Sequence, residues 1–388
     1  MKMRCVKDDL LKGIQVVQKG VSTKSTLPIL SSILFQAEND LKLHTTDLET
    51  FVSCSVEGKI IKKGSAGVPA RLIGDIVRSL PDAAIDISYD TEKRQINLVC
   101  ENSFFNIKTL PAEDFPKIVS LEKKAPASTN IEEYVVKNSL FLNIIKQVIR
   151  AASRDETRPI LTGVLLTLNK DKVKMVATDS YRLAVTEGKL EKEEKKQDKK
   201  EKEEAKEEEG KIRVVIPTKA LEDVMKISSI LENNEVKIGL LENHIVFDLG
   251  KAQLISRLIE GQYPNYQQLL PENYQVELPI KREELVGAVK RISLLAQNNS
   301  PVRFNLGKNN LSISAVTQEV GEAKEDLKVS YEGEEVKVAF NGQYLLDGLT
   351  AVNQEEILIK LLGPLKPGLI KSVGNDEFLY LIMPVRLG

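Results

Sequence analysis

The sequence predicts an α+β protein built from three tandem similar domains, each with two helices packed on antiparallel sheets. Three observations predict it. Short motifs recur at a nearly fixed interval: Pro28-Ile29-Leu30 returns as Pro159-Ile160-Leu161 after 131 residues, and Thr46-Asp47 as Thr178-Asp179 after 132. Such a period is the mark of a repeated structural unit. Short runs alternate apolar and polar residues, as at Val173, Met175 and Ala177 or Leu311, Ile313 and Ala315, the period of a half-buried strand. Two stretches per copy show helical spacing instead, beginning with the stripe Leu10, Ile14 and Val17.

In chain order, the first copy opens with a helix around residues 8–19, and Val68-Pro69-Ala70 opens its second helix. The counterpart Ile216-Pro217-Thr218 lies 148 residues on, the interval that also separates Phe115-Pro116-Lys117 from Tyr263-Pro264-Asn265. The spacing therefore rises from 132 to 148 between Asp179 and Ile216. The run from Lys189 to Lys211, dominated by Glu and Lys, supplies the excess as an insertion between two strands. It contains almost nothing to bury and reads as a solvated helix or loop. The third copy is fainter: Leu285 to Ile292 matches the opening helix, and Phe340-Asn341-Gly342 starts the second. Met383-Pro384-Val385 closes it, 120 residues after Pro264. The expected domains are 1–122, 130–266 with the insertion at about 189–211, and 274–388, joined by linkers at 123–130 and 263–273. Near the middle, Thr178-Asp179-Ser180-Tyr181-Arg182-Leu183 reads as strand, turn, strand. An Asp there can bond backbone amides two residues on.

Composition narrows the function. The chain has 388 residues and a formal charge of -1, with 42% hydrophobic and 29% charged residues, so bulk charge gives no nucleic-acid signal. Cys5, Cys54 and Cys100 are scattered without a CxxC pair, as suits a reducing compartment. The N-terminus lacks the apolar core of a signal peptide, and no apolar run approaches the roughly 18–20 residues needed to span a bilayer. A soluble, cytoplasmic protein is expected, with no membrane association.

Charge is nevertheless patterned. Plotted at the helical period, Lys12 and Lys19 face away from the first helix's apolar stripe, and Arg71 and Arg78 away from Leu72 and Ile76. Lys146 and Arg150, Lys219 and Lys226, and Lys290 repeat the device, while the sixth helix, near Tyr344 to Val352, carries only Asp347. A basic helical surface can hold a polyanion loosely through phosphates, without reading bases.

Catalytic apparatus is not legible. Lys63-Gly64-Ser65-Ala66-Gly67 lacks the phosphate-loop spacing, and neither a GxGxxG after a strand nor a GxSxG elbow occurs. With His44 and His244 as the only histidines, a zinc site or a nucleophile–His pair has little support. Asp47 with Glu49, or Asp155 with Glu156, could bind Mg²⁺ but read better as turn and surface carboxylates. Neither a metal, a cofactor nor catalytic residues are expected. At 5% aromatic and no Trp, base stacking on single strands is disfavoured too.

Taken in order, Leu27-Pro28-Ile29-Leu30, Thr46-Asp47-Leu48-Glu49, Thr178-Asp179-Ser180-Tyr181-Arg182-Leu183-Ala184, Tyr263-Pro264-Asn265-Tyr266 and Met383-Pro384-Val385-Arg386-Leu387 resemble the signatures of one family. It is the bacterial sliding clamp, the beta subunit of DNA polymerase III, and the resemblance covers essentially the whole chain. It implies a head-to-tail homodimer whose six domains form a ring around duplex DNA, with the helices lining the hole. It also implies a groove that takes short peptides from polymerase subunits and the clamp loader. Matched by motif, the groove comprises Leu161, Thr178, Ser180, Tyr181, Arg182, Leu183, Pro264, Gln268, Leu269, Asn341, Tyr344, Leu365 and Pro367. It ends with Leu381, Ile382, Met383, Pro384, Val385, Arg386 and Leu387. Apolar walls would bury peptide Leu and Phe, with Thr178, Asn341 and Arg182 as polar contacts. Tyr181 stands where some members have His, and Gln268 where some have a basic residue, which bears on peptide preference.

The same resemblance places the ring interface at Phe105 and Ile107, meeting Leu294 and Leu295 of another copy. It matches Lys24 to a DNA contact, with Arg71, Arg78, Arg150, Arg158 and Lys219 as further candidates. The expectation is a non-catalytic ring that tethers replication enzymes to DNA. A repeat scaffold that binds peptides without encircling DNA ranks second, and an Asp-dependent metal enzyme third.

Overall fold

The computed structural model describes residues 1–22, 25–117, 133–169, 171–190, 212–271, 273–296, 301–317 and 320–386. The first copy contains β1 (Lys2–Val6), α1 (Lys7–Val17), β2 (Ser32–Ala37), β3 (Leu41–Thr46), β4 (Thr50–Val56), β5 (Gly58–Lys62) and β6 (Gly64–Pro69). It continues with α2 (Ala70–Ser79), β7 (Ala84–Asp90), β8 (Gln95–Cys100) and β9 (Ser103–Lys108). The second contains β10 (Tyr134–Lys137), α3 (Asn138–Val148), β11 (Gly163–Leu168), β12 (Lys172–Thr178), β13 (Arg182–Lys189) and β14 (Ile212–Pro217). Then come α4 (Thr218–Leu231), β15 (Glu235–Leu241), β16 (His244–Asp248) and β17 (Ala252–Arg257). The third contains β18 (Val276–Lys281), α5 (Arg282–Ser293), β19 (Val302–Gly307), β20 (Asn310–Thr317), β21 (Gly321–Lys328) and β22 (Val336–Phe340). It closes with α6 (Gly342–Ala351), β23 (Glu356–Leu361), β24 (Gly368–Ser372) and β25 (Asn375–Ile382).

The chain forms two compact units. One is Met1–Phe141 with Lys219–Leu258, the other Leu142–Thr218 with Ile259–Gly388. The middle copy is therefore divided: β10 and β15–β17 belong to the first unit, β11–β14 to the second. In the first unit, one sheet runs β5-β1-β7-β8-β9 and a larger one runs β10-β15-β16-β17-β4-β3-β2-β6. In the second, the larger sheet runs β14-β11-β12-β13-β25-β24-β23-β18 and the smaller β21-β20-β19-β22. The two eight-stranded sheets are built alike. Each joins the last strand of one copy, antiparallel, to the third strand of the copy's first sheet half before it: β17 to β4 and β25 to β13.

Burial follows the predicted periods. Leu10, Ile14 and Val17 of α1 are buried, as are Val173, Met175 and Ala177 of β12. Three expectations need correction. Lys19 is not in the helix but in the 3-10 turn Gln18–Gly20 beyond it. On α2 the buried stripe is Ala70, Ile73, Gly74 and Val77, and Leu72 is exposed. The reason is close packing, because the Gln18 amide donates to the Ala70 carbonyl at 2.8 Å and a Cβ at Gly74 would overlap it. Ala70 and Gly74 allow the close approach on the packed face, and Leu72 is left outside. Nor is 263–273 a simple linker, since Tyr263 and Tyr266 sit in a buried cluster with Leu183 and Leu381. The linker at 123–130 and residues 191–211 of the insertion lie outside the described residues.

Candidate functional site

The Thr-Asp turn at mid-chain is held by its own side chains. Thr178 Oγ1 donates to the Arg182 carbonyl at 2.6 Å and accepts from the Ser180 amide at 3.2 Å. Asp179 Oδ1 accepts from the amides of Tyr181 and Arg182 at 2.9 and 3.0 Å. Ser180 is thereby fixed at φ +79°, a conformation uncommon for a residue with a side chain. The first copy repeats the device. Thr46 bonds the Thr50 carbonyl, Asp47 Oδ1 accepts from the Glu49 and Thr50 amides, and Leu48 has the same φ of +79°.

Four neighbouring strands end beside this turn. Their register sets Thr178 opposite Leu183, Leu183 opposite Leu381, and Leu381 opposite Leu369. Leu183, Leu381 and Leu369 pack with Val176, Tyr263 and Tyr266 in one buried cluster. Beyond β25 the Met383 amide donates to the Tyr181 carbonyl and the Val385 amide to the Ala339 carbonyl, both at 2.8 Å. The loop from Gly363 to Pro367 enters β24 at the same end, where Gly368 lies opposite Ile382. Around this floor stand large apolar side chains open to solvent: Tyr181 at 61%, Leu269 at 52%, Leu365 at 62% and Met383 at 41%. Ser180, Pro264, Gln268 and Arg386 are also exposed, while Asn341, Tyr344, Pro367, Pro384 and Val385 are half-buried. Exposed apolar side chains gathered in this way make the rim a candidate interaction site.

The polar members serve mostly the protein itself. Thr178 is spent on its turn, and Asn341 Oδ1 caps α6 by accepting from the Tyr344 amide at 3.0 Å. Leu161, Leu183, Leu381 and Ile382 are buried floor. Arg182, also buried, donates from Nε to Asp179 Oδ2 at 2.9 Å and from Nη1 to Asp347 Oδ2 at 2.5 Å. Its Cζ lies 4.1 Å from the centre of the Tyr344 ring. Burial works against this guanidinium's charge, but Tyr380, Asp347 and Asp179 outweigh it and raise the pKa. Asp347 Oδ1 also accepts from Gln343 at 2.9 Å and Arg150 Nη1 at 3.3 Å. Tyr380 donates to the Tyr344 carbonyl at 2.8 Å and packs where Gly348 leaves no room for a Cβ. The acid that breaks the basic pattern of the sixth helix is thus the hub of a buried charge network. An isolated acid on a helix without basic residues was the only sequence signal for it.

Residues 1–119, 135–265 and 267–386 match the family models of the N-terminal, central and C-terminal domains of the DNA polymerase III beta subunit. This chain belongs to the DNA polymerase III beta-subunit family. Beta sliding clamps of Synechocystis sp. and Staphylococcus aureus are each 31% identical to it over 399 residues, covering 100% of this chain and 100% and 99% of theirs. The crystal structure of the DNA polymerase sliding clamp from Bacillus subtilis matches with a TM-score of 0.87 at 28% identity, over 100% of both chains. The fold is that of the family: three similar domains, with helices packed on antiparallel sheets.

The remaining candidate residues of this beta-subunit chain fall in three places. Arg71, Arg78 and Lys219 are exposed on α2 and α4, yet each has an acid beside it. Arg71 and Arg78 share Asp75 at 4.0 and 3.1 Å, and Lys219 bonds Asp47. Arg150 turns to Asp347. Arg158 is on no helix; its Nη1 donates to Ser180 Oγ at 3.0 Å, which sets it beside the mid-chain turn. At the sheet edges, Phe105 is half-buried and Ile107 buried on β9, while Phe104, the residue before Phe105, is 62% exposed. Leu294 is 73% exposed just past α5, and the carbonyl of half-buried Leu295 accepts from Thr317 Oγ1 at 2.6 Å. Lys24 and Leu387 lie outside the described residues. Asp155 and Asp47, weighed above as metal ligands, instead cap turns. Among the described residues no group of three or more His, Cys, Asp or Glu could hold a metal ion, and no helix is long and apolar enough to cross a membrane.

Proposed function

We propose that the chain is a non-catalytic, cytoplasmic sliding clamp. Two copies close head to tail into a ring around duplex DNA and present a peptide groove to polymerase and clamp-loader subunits. The carrying observation is the pattern of sheet edges. Two junctions between copies of the repeat are continuous eight-stranded sheets, made through β17–β4 and β25–β13. Half-sheets of the same kind remain at the outer repeats, with β9 and β21 as free edges among the described residues. By the same rule, β9 is the last strand of its repeat and β21 the third strand of its half-sheet. They are the pair that a second copy would join. Open strand edges recruit other strands unless covered, and Leu294, Val316 and Val320 expose apolar surface around the β21 end.

The domains are read as 1–122, 130–266 and 274–388. Arg71, Arg78 and Lys219 are read as contacts for phosphates, with Lys24. The rim of Tyr181, Leu269, Leu365 and Met383 would bury the peptide's apolar side chains, over the floor of Leu161, Leu183 and Leu381. Arg158, next to Ser180, is reassigned from the DNA surface to this groove.

The test is retention on DNA of defined topology. Loaded onto nicked circular plasmid by a bacterial clamp loader with ATP, the protein should stay on the DNA through gel filtration and leave when the plasmid is cut once. Equal retention on circle and linear fragment would overturn encirclement.

A further inference from the structure

The two Thr-Asp turns have the same backbone but different surroundings, and the difference points to a role. At the first turn, Thr50 occupies the place of Arg182, and Asp47 takes Lys219 of α4 instead. The sixth residue of α4 is Asp223 and the sixth of α6 is Asp347, both buried. Among the described residues Asp223 bonds Lys226 of its own helix, at 3.2 Å, and its Oδ2 has no hydrogen-bond partner. The first turn nevertheless keeps φ +79° at Leu48 and the same Asp-to-amide bonds. The fold of the turn therefore does not require an Arg–Asp bridge.

At the second turn the bridge is complete. Asp347 receives Arg182, Arg150 and Gln343, and Arg182 in turn lies against the Tyr344 ring and bonds Asp179. A buried ion pair is weak support for stability, because desolvation offsets much of its Coulomb attraction. What it supplies is fixed geometry, and the side chain so fixed is Tyr344.

We infer that Asp347 is a positioning residue of the peptide groove, with Arg150 as its outer counter-ion. Through Arg182 they hold the Tyr344 ring and the Tyr181 turn in the shape that receives the peptide, and neither touches it. Arg150, on this view, serves the groove rather than DNA. The inference rests on the groove reading above.

The test is fluorescence polarisation with a labelled Gln-Leu-Ser-Leu-Phe peptide on the full chain. Asp347→Asn keeps the shape and removes the charge, and is expected to weaken binding about tenfold. Arg150→Gln, half open to solvent, should weaken it roughly threefold, with Arg150→Lys restoring most of the loss. Thermal melting of Arg150→Gln should be unchanged, which keeps the test valid if Asp347→Asn folds poorly. In a Tyr344→Ala background, Arg150→Gln should have no further effect. Unchanged affinity in both single variants, or losses that simply add to that of Tyr344→Ala, would overturn the inference. Failure of the parent chain to bind the peptide would instead overturn the groove reading and this inference with it.

Discussion

Acid is expected to destabilise the fold through His44. It lies on β3, is 5% exposed, stacks on Phe51 with ring centres 5.7 Å apart, and has no hydrogen-bond partner for either ring nitrogen among the described residues. Burial, helped by Lys42 and opposed by Glu38, lowers its pKa from 6.5 to about 4. In the unfolded chain the ring gains a proton near pH 6.5; in the folded chain it stays neutral until about pH 4. Between those values the unfolded state binds one more proton, so stability falls as pH falls. Each pH unit in that window is worth about 1.4 kcal/mol, which gives roughly 2 kcal/mol lost by pH 5 and none at pH 7.5.

The internal repeat suggests the control. Val176, 132 residues on, holds the same position in the second copy and is fully buried. His44→Leu keeps the volume and removes the titration. The chain has no Trp, so urea unfolding would be followed by circular dichroism at one protein concentration. The stability difference between variant and parent should grow by about 2 kcal/mol in the variant's favour from pH 7.5 to pH 5. Parallel profiles, or a ring pKa near 6.5 by NMR in the folded protein, would show that the buried, unpartnered environment is not what His44 feels.

Two further outcomes follow from packing. Replacing Leu294 with Ala and Leu295 with Lys should leave a folded chain whose light-scattering mass is that of one 43.3 kDa chain; an unchanged dimer mass would remove these residues from the interface. Gly348→Ala should destabilise by about 1–2 kcal/mol, because overlap with the Tyr380 ring outweighs the better helix propensity of Ala. Equal melting temperatures would show that the ring can move aside.

Much of the fold was legible because the repeat is written in residues that act locally. An Asp that caps a turn does so with amides two and three positions on, so Thr46-Asp47 and Thr178-Asp179 announce the same turn wherever they stand. Alternation at Val173, Met175 and Ala177 likewise needs only neighbours. Sequence patterns say least where the deciding partner is distant. Leu72 fits an apolar stripe on α2, but Gly74 admits Gln18 from 56 positions away and sets the inner face instead. Arg182 finds its partner Asp347 165 positions away, beyond the reach of any local pattern. Arg158 donates to Ser180, 22 positions on, a bond that its basic character alone does not announce. Sheet edges are similarly invisible in one dimension: only the strand order reveals that β9 and β21 each lack a second neighbour among the described residues.

The charges support the encircling reading in a way that bulk composition conceals. The helical surfaces are basic in pattern, but on α2 and α4 they are also locally neutralised: Asp75 sits between Arg71 and Arg78, Lys219 holds Asp47, and Lys226 lies near Glu222 and Asp223. A phosphate that approaches such an arginine must share it with a carboxylate already in place. The net gain per contact is then smaller than for a free cation, and exposed pairs of this kind are worth at most about 1 kcal/mol. A protein that relied on affinity alone to stay on DNA would be poorly served by that arrangement. One held by topology gains from it, since a weak, exchangeable grip lets the ring move along the backbone without a deep electrostatic minimum at each phosphate.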